Sequence, residues 1–109
     1  MTQPAGLLDR LDAALVRATT AGEIGVPRSL RLHLGCPDEE LPSLEQLLAL
    51  GDTIFGCPRL RVSQSGNALL CLWEQGQVAT VSIASSPGLV LILTVLGTGG
   101  ALHLTEPGR

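Results

Sequence analysis

Four side chains of this sequence could together ligate a transition metal: His33, Cys36, Cys57 and Cys71. Imidazole nitrogen and thiolate sulfur are ligands that zinc prefers, and four of them complete a tetrahedral site. Two of the cysteines share the tripeptide Gly-Cys-Pro, but no two cysteines lie two to four residues apart, as they do in common zinc motifs. We therefore expect three separate thiols and no cofactor, with zinc as the alternative.

The same set contains the one close pair that could support nucleophilic catalysis, Cys36 with His33. A thiolate nucleophile needs a base within hydrogen-bond reach and a third group that orients this base. Residues three apart at the end of a strand do not normally share a face. No Gly-x-Ser-x-Gly, His-Glu-x-x-His or phosphate-loop motif occurs. The sequence assigns no catalytic residue and favours a protein that is not an enzyme.

Four arginines could bind an anion, because a guanidinium pairs with a carboxylate or phosphate through two parallel hydrogen bonds. They are Arg28, Arg31, Arg59 and Arg61. If the strands that carry them are neighbours, these side chains line one polar face together with His33. The alternative is a solvated face paired with the acidic run 38–40, which would add little stability.

A glycine-rich run, 97–100 (Gly-Thr-Gly-Gly), could resemble a loop that surrounds a phosphate. Such a loop follows a strand and opens a helix. This run instead precedes another strand-like segment, 101–105. We therefore predict a hairpin turn at 97–100.

The composition restricts the classes of function. The net charge is −3, all seven basic residues are arginine, and 2% of the 109 residues are aromatic. A mildly acidic chain has no overall attraction for phosphates, and scarce aromatic side chains offer little for bases to stack on. The N-terminal residues do not resemble a signal peptide, and the number of cysteines is odd. We expect a cytoplasmic protein that binds neither nucleic acid nor membrane.

The stretch between Glu74 and Glu106 contains no charged residue. A helix that crosses a bilayer needs about 20 consecutive apolar residues, but Gly76 and the runs 85–88 and 97–100 interrupt this stretch. Its longest apolar piece, 89–96, has the length and the β-branched content of a strand. The pattern predicts strands rather than a membrane segment.

The elements that must position these residues follow from periodicity. Apolar spacing predicts a helix over 4–20, and a capping box from Ser43 to Gln46 predicts a second helix that ends near Gly51. Strict alternation predicts a strand between them, over 29–34. Five more strands follow: 59–63, 68–73, 78–84, 89–96 and 101–105. The predicted fold class is α+β, with two short helices flanking one strand, then a five-strand antiparallel meander, and the helices packed on one face of the sheet.

The chain is predicted to form a single domain: a helix-strand-helix part over 6–58, the meander over 59–105 and a tail over 106–109. Antiparallel sheets normally show one polar face by alternation, which strand 89–96 lacks. Both sides of that strand should therefore be covered, one of them by the helices and the other by a second sheet layer, the interior of a curled barrel or another subunit.

This excess of apolar strand surface predicts a non-catalytic interaction or assembly domain that forms a homodimer, or joins a larger assembly, through its sheet. The candidate interface residues are Trp73, Leu89, Leu91, Leu93 and Val95. For Trp73 the alternative is a plug at the rim of the core. The alternative function is a module that binds a small ligand, an anion or a metal through the arginine face or through the histidine and cysteines.

Overall fold

A computed structural model describes residues 5–20 and 22–106, without the side chains of residues 5–9, 40 and 106. The helices are α1 (Ala5–Thr20) and α2 (Leu44–Phe55), and Asp38–Glu40 forms a 3₁₀ turn. The strands are β1 (Pro27–Cys36), β2 (Arg59–Ser65), β3 (Ala68–Trp73), β4 (Val78–Ser85), β5 (Val90–Gly97) and β6 (Ala101–Glu106). Among the described residues, no helix has the length and apolar character that crossing a membrane would require.

The strands form one mixed sheet in the order β2-β3-β4-β1-β5-β6. β1 lies between β4 and β5, parallel to β4 and antiparallel to β5. The other neighbouring pairs are antiparallel. The α+β class is confirmed, but the uninterrupted five-strand meander is wrong, because β1 pairs along both of its edges and separates β4 from β5.

Alternate positions of the central strands fill a hydrophobic core on one side of the sheet, here called the covered face. Leu32 of β1 and Leu93 of β5 pair across the ladder, and neither side chain is more than 1% exposed. Burying such a side chain stabilises the fold by about 1.5–3 kcal/mol. Both helices contribute to the same core, through Leu11, Leu15, Leu47 and Leu48.

The start of α2 is confirmed and its predicted end is wrong. The Gln46 backbone N–H donates to the Ser43 hydroxyl at 3.1 Å, and the Ser43 N–H donates to the Gln46 side chain at 2.9 Å. Gly51 lies inside the helix, where a Cβ would come within 2.8 Å of the Trp73 ring. The helix ends at Phe55 and is capped by Gly56, whose left-handed φ of 67° suits glycine.

The opposite side of the sheet, here called the open face, carries no layer from the described residues. Ile92 and Leu96 of β5 are 41% and 49% exposed there. The described residues cover one side of β5 only, so the predicted second layer from this chain is wrong. The predicted tail 106–109 is also corrected at its first residue, since Glu106 belongs to β6, and residues 107–109 lie outside the described residues.

Candidate functional site

A concave region of about 500 Å³ lies on the open face, across β2, β3, β4 and β1. Residues paired in register stand side by side on one face of a sheet, and here two such rows line the region. The first row is Ser63, Leu70, Thr80 and Arg31, and the second is Ser65, Ala68, Ser82 and His33. We call this concave region the trough.

The polar groups of the trough are distributed unevenly. Arg31 and His33 stand at the β1 end, where His33 Nδ1 and Ser82 Oγ share a hydrogen bond of 2.7 Å. Within the described part of the chain, Arg31 has no hydrogen-bond or ion-pair partner, and neither do the side-chain hydroxyls of three further lining residues. These three are Ser63, Ser65 and Thr80. The trough therefore offers one positive charge and three hydroxyl groups to a ligand.

The four arginines predicted to bind an anion do not meet. β3 and β4 lie between β1 and β2, so the strands that carry them are not neighbours. Arg31 lines the trough, whereas Arg28 is exposed at the start of β1 and Arg61 lies near the outer edge of the sheet. Arg59 is on the covered face, where it binds acidic side chains.

Arg59 joins β2 to α2 through two carboxylates. Its guanidinium donates to both oxygens of Asp52, at 3.0 and 2.6 Å, and to both oxygens of Glu45, at 3.2 and 2.9 Å. The indole N–H of Trp73 donates to Asp52 Oδ1 at 3.0 Å. The hydrogen bonds from Arg59, helped by that from Trp73, lower the pKa of Asp52 despite the opposing effect of burial. Arg59 is thus engaged within the chain.

The predicted zinc ligands do not converge. His33 lies on the open face, whereas Cys36 and Cys71 are buried in the core of the covered face. Cys57 donates its S–H to the Gln77 side-chain oxygen at 3.4 Å. The described residues contain no group of three or more His, Cys, Asp or Glu side chains that could hold a metal ion.

The thiols also lack the arrangement of a nucleophile. Cys36 and His33 lie on opposite faces of the sheet, so the imidazole that would act as base is turned away from the sulfur. Burial raises the pKa of the Cys71 thiol, which disfavours the reactive thiolate.

The five predicted interface residues face the core instead of the surface. Trp73, Leu91, Leu93 and Val95 are at most 3% exposed, and Leu89 packs against the core, partly buried. The Trp73 ring packs edge to face on Phe55, with the ring centroids 4.7 Å apart. The reason is the phase of the alternation, because the odd-numbered positions of β5 point to the helices.

The glycine-rich run 97–100 forms the predicted hairpin turn between β5 and β6. Two of its backbone N–H groups bond the linker before β1: Thr98 N–H donates to Val26 O at 3.0 Å, and Gly99 N–H donates to Ile24 O at 2.9 Å. A Cβ on Gly97 would collide with the Ile24 carbonyl. Glycine is needed at this position because the linker between α1 and β1 packs on the turn at backbone distance.

The sequence did not lead us to two groups of residues: the outward polar row of β4, and Asp52. Thr80 and Ser82 alternate with buried Ala79 and Val81 along β4, and this period of two was the available signal for an outward polar row. Asp52 gave no such signal, because its role depends on Arg59 and Trp73, which only the folded chain brings to it.

No protein-family model matches the sequence, and no curated protein does. Solved structures do share the fold. A probable dehydrogenase from Thermotoga maritima matches with a TM-score of 0.68 at 17% identity, over 96% of this chain and 40% of that protein. The scyllo-inositol dehydrogenase from Lactobacillus casei, with bound NAD(H) and scyllo-inositol, matches with a TM-score of 0.68 at 14% identity, over 93% and 41%. An NAD binding oxidoreductase from Klebsiella pneumoniae gives 0.59 at 15% identity, over 96% and 38%.

These likenesses correct two predictions. The predicted non-catalytic domain that self-associates as a homodimer is wrong, because the solved structures that match this chain include dehydrogenases and an NAD binding oxidoreductase. The expectation of no cofactor is wrong on the same ground, since one of these structures holds NAD(H). At these identities the likeness shows the fold, and the chain spans about two fifths of the length of the proteins it matches.

The described residues do not fit the diphosphate of a dinucleotide. A dinucleotide-binding unit has a parallel sheet and a glycine-rich turn that leads from a strand into a helix N-terminus. Here β1 is followed by Pro37 and the acidic turn Asp38–Glu40, and the Ser43 and Gln46 side chains cap α2. The glycine-rich run 97–100 joins two strands, and its Thr98 and Gly99 N–H groups are bonded to the linker. These elements leave no site for a diphosphate.

Proposed function

We propose that this chain is the sheet domain of an NAD(H)-dependent dehydrogenase, in which a separate unit binds the nucleotide. The observation that carries the proposal is the coverage of the fold match. Almost all of this chain corresponds to about two fifths of each dehydrogenase. The remaining three fifths have no counterpart here, and the described residues have no glycine-rich turn that enters a helix.

The two units of the dehydrogenase have different functions. NAD(H), when bound, supplies hydride transfer, and its diphosphate sits on the separate unit. This chain supplies a six-stranded platform whose covered face is closed by α1 and α2 and whose open face is accessible. The sequence predicted a partner in a homodimer or a larger assembly; this proposal instead makes the partner a nucleotide-binding unit, either another part of the same polypeptide or a second chain.

The test compares the native assembly with the isolated chain. The polypeptide that contains this chain, or its stable complex, is purified from the source cells, and the bound nucleotide is released by heat and measured. We expect about one NAD(H) per chain in the native assembly, and none for residues 1–109 expressed alone and incubated with NAD(H).

Two results would contradict the proposal. Stoichiometric NAD(H) on the isolated chain would place the nucleotide site within residues 1–109. A native assembly that contains no nucleotide, gains none when NAD(H) is added and reduces no NAD with scyllo- or myo-inositol would remove the chain from this class of oxidoreductase.

A further inference from the structure

We propose that the trough binds a hydroxylated carboxylate of sugar size, with the ligand carboxylate on Arg31 and the ligand hydroxyls on Ser63, Ser65 and Thr80. This site uses the described side chains of the open face alone. It therefore does not rest on the function proposed above.

Charge complementarity selects the carboxylate. No acidic residue lines the trough, so Arg31 is its one formal charge. The carboxylates of Asp52 and Glu45 cannot pair with Arg31, because they lie on the other side of the sheet and are paired with Arg59. A guanidinium without an acidic partner presents a planar fork that matches the two oxygens of a carboxylate. Because the whole chain carries a net charge of −3, the attraction for an anion is local to this end of the trough.

The surface of the trough is mostly apolar, and its hydroxyl groups together with this apolar floor determine the rest of the ligand. Ser63, Ser65 and Thr80 leave their hydroxyls without partners in the described chain, and each can both donate and accept a hydrogen bond. Leu70, which is 42% exposed, supplies an apolar floor between them. A sugar acid has hydroxyls along its length and C–H groups that can pack on such a side chain.

The length and width of the trough match the size of one small molecule. Four neighbouring strands at about 4.8 Å spacing make the trough about 14 Å long, and its two rows are about 7 Å apart. The small side chains Ala68, Thr80 and Ser82 leave the middle concave, while Arg31 closes one end. A six-carbon acid together with the arginine side chain that meets it fills this length.

The binding test uses gluconate as the probe and nuclear magnetic resonance of the ¹⁵N-labelled chain as the readout. We expect gluconate to shift the signals of β1, β2, β3 and β4 residues that line the trough. Sorbitol has the same carbon skeleton without the carboxylate, and butyrate has a carboxylate without hydroxyls. Each should bind at least about tenfold more weakly than gluconate, because sorbitol lacks the group that Arg31 binds and butyrate lacks the groups that the hydroxyls bind.

Matched variants separate the site from general electrostatics. Arg31→Gln should weaken gluconate binding by at least about tenfold, whereas Arg28→Gln removes the same charge from the same strand outside the trough and should leave the affinity unchanged. Thr80→Trp fills the trough and should abolish binding with all charges retained. Thermal unfolding of the three variants checks that each is folded.

Three results would overturn the proposal: no signal shift in the trough at saturating gluconate, equal affinity for sorbitol or butyrate, or equal weakening by the two arginine variants.

Discussion

The two faces of strand β5 carry similar side chains in different surroundings. On the covered face, Leu91, Leu93 and Val95 are at most 3% exposed beneath the helices. On the open face, Ile92 and Leu96 are 41% and 49% exposed. A shift of one residue along the strand thus moves an apolar side chain from the core to the surface. Apolar composition identifies a strand, but it does not say how many of its faces the chain itself buries.

Polar groups differ between the two faces in the same way. On the covered side, Asp52, Arg59 and Trp73 satisfy one another at the edge of the core. On the open side, Arg31 and the hydroxyl groups of Ser63, Ser65 and Thr80 have no partner within the described residues. Stability therefore resides on the covered face, and the open face has groups that remain available for binding.

The sharpest test of this contrast uses two adjacent residues of β5. Leu93→Ala should lower the free energy of unfolding by about 2–5 kcal/mol, because it opens a cavity in the core. Ile92→Ala, one position away on the open face, should lower it by less than about 1 kcal/mol. Urea denaturation of both variants measures the difference. Equal losses would show that the open face is buried in solution.

The second prediction concerns Gly97, where the linker before β1 packs on the turn between β5 and β6. Gly97→Ala should lower the free energy of unfolding by about 3 kcal/mol, because the new methyl group meets the Ile24 carbonyl and pushes the linker from the turn. Gly88→Ala is the control, since a Cβ there meets nothing within 4 Å. Thermal unfolding compares the two. A Gly97→Ala protein as stable as the control would contradict the close approach of linker and turn.

The edge of the covered face should respond to pH through Asp52. Its pKa in the folded protein is below the ordinary value of 3.8, so its stabilising effect is complete above that value and is lost as the pH falls through the folded pKa. Asp52→Asn should lower the free energy of unfolding by about 1 kcal/mol at neutral pH, and this difference should disappear in acid.

Urea midpoints over a series of pH values measure this effect. The control is Glu45→Gln, whose side chain is 72% exposed and should contribute less than about 0.5 kcal/mol. A difference between the wild type and Asp52→Asn that stays constant down to strongly acidic pH would refute the role of the carboxylate charge.

The smallest effect is expected on the open face. Leu70→Ser should change the free energy of unfolding by no more than about 0.5 kcal/mol, because the side chain is 42% exposed and lies outside the core. Chemical denaturation at low and high protein concentration measures it. A large loss that depends on concentration would reveal a contact between copies of the chain on this face.

Much of the secondary structure could be predicted from local pattern. Alternation located β1, and the capping box located the start of α2, because both signals are contained in a few adjacent residues. The place of β1 in the sheet could not be predicted. Its pairing with β4 and β5 joins residues such as Leu32 and Val81, which no local signal relates.

The candidate site was predicted only in part. Arg31 and His33 were singled out for their chemistry, but they were grouped with Arg59 and Cys36, which point to the other face. The grouping with Arg59 failed because it assumed that β1 and β2 are neighbours, and the grouping with Cys36 failed because Cys36 lies on the opposite face of the sheet. Once the strand order is known, the registers of β2, β3 and β4 bring Arg31 into one row with Thr80 and Ser63.

The central position of β1 also has a consequence for folding kinetics. β4 and β5 are consecutive in the chain and only residues 86–89 separate them, yet a third strand lies between them. They cannot close as a hairpin, and each exposes a hydrogen-bonding edge until β1 arrives from a distant part of the chain. Loop closure over such separations is slow, so we expect folding in milliseconds to seconds rather than microseconds. During that interval the future centre of the sheet is the segment most exposed to aggregation.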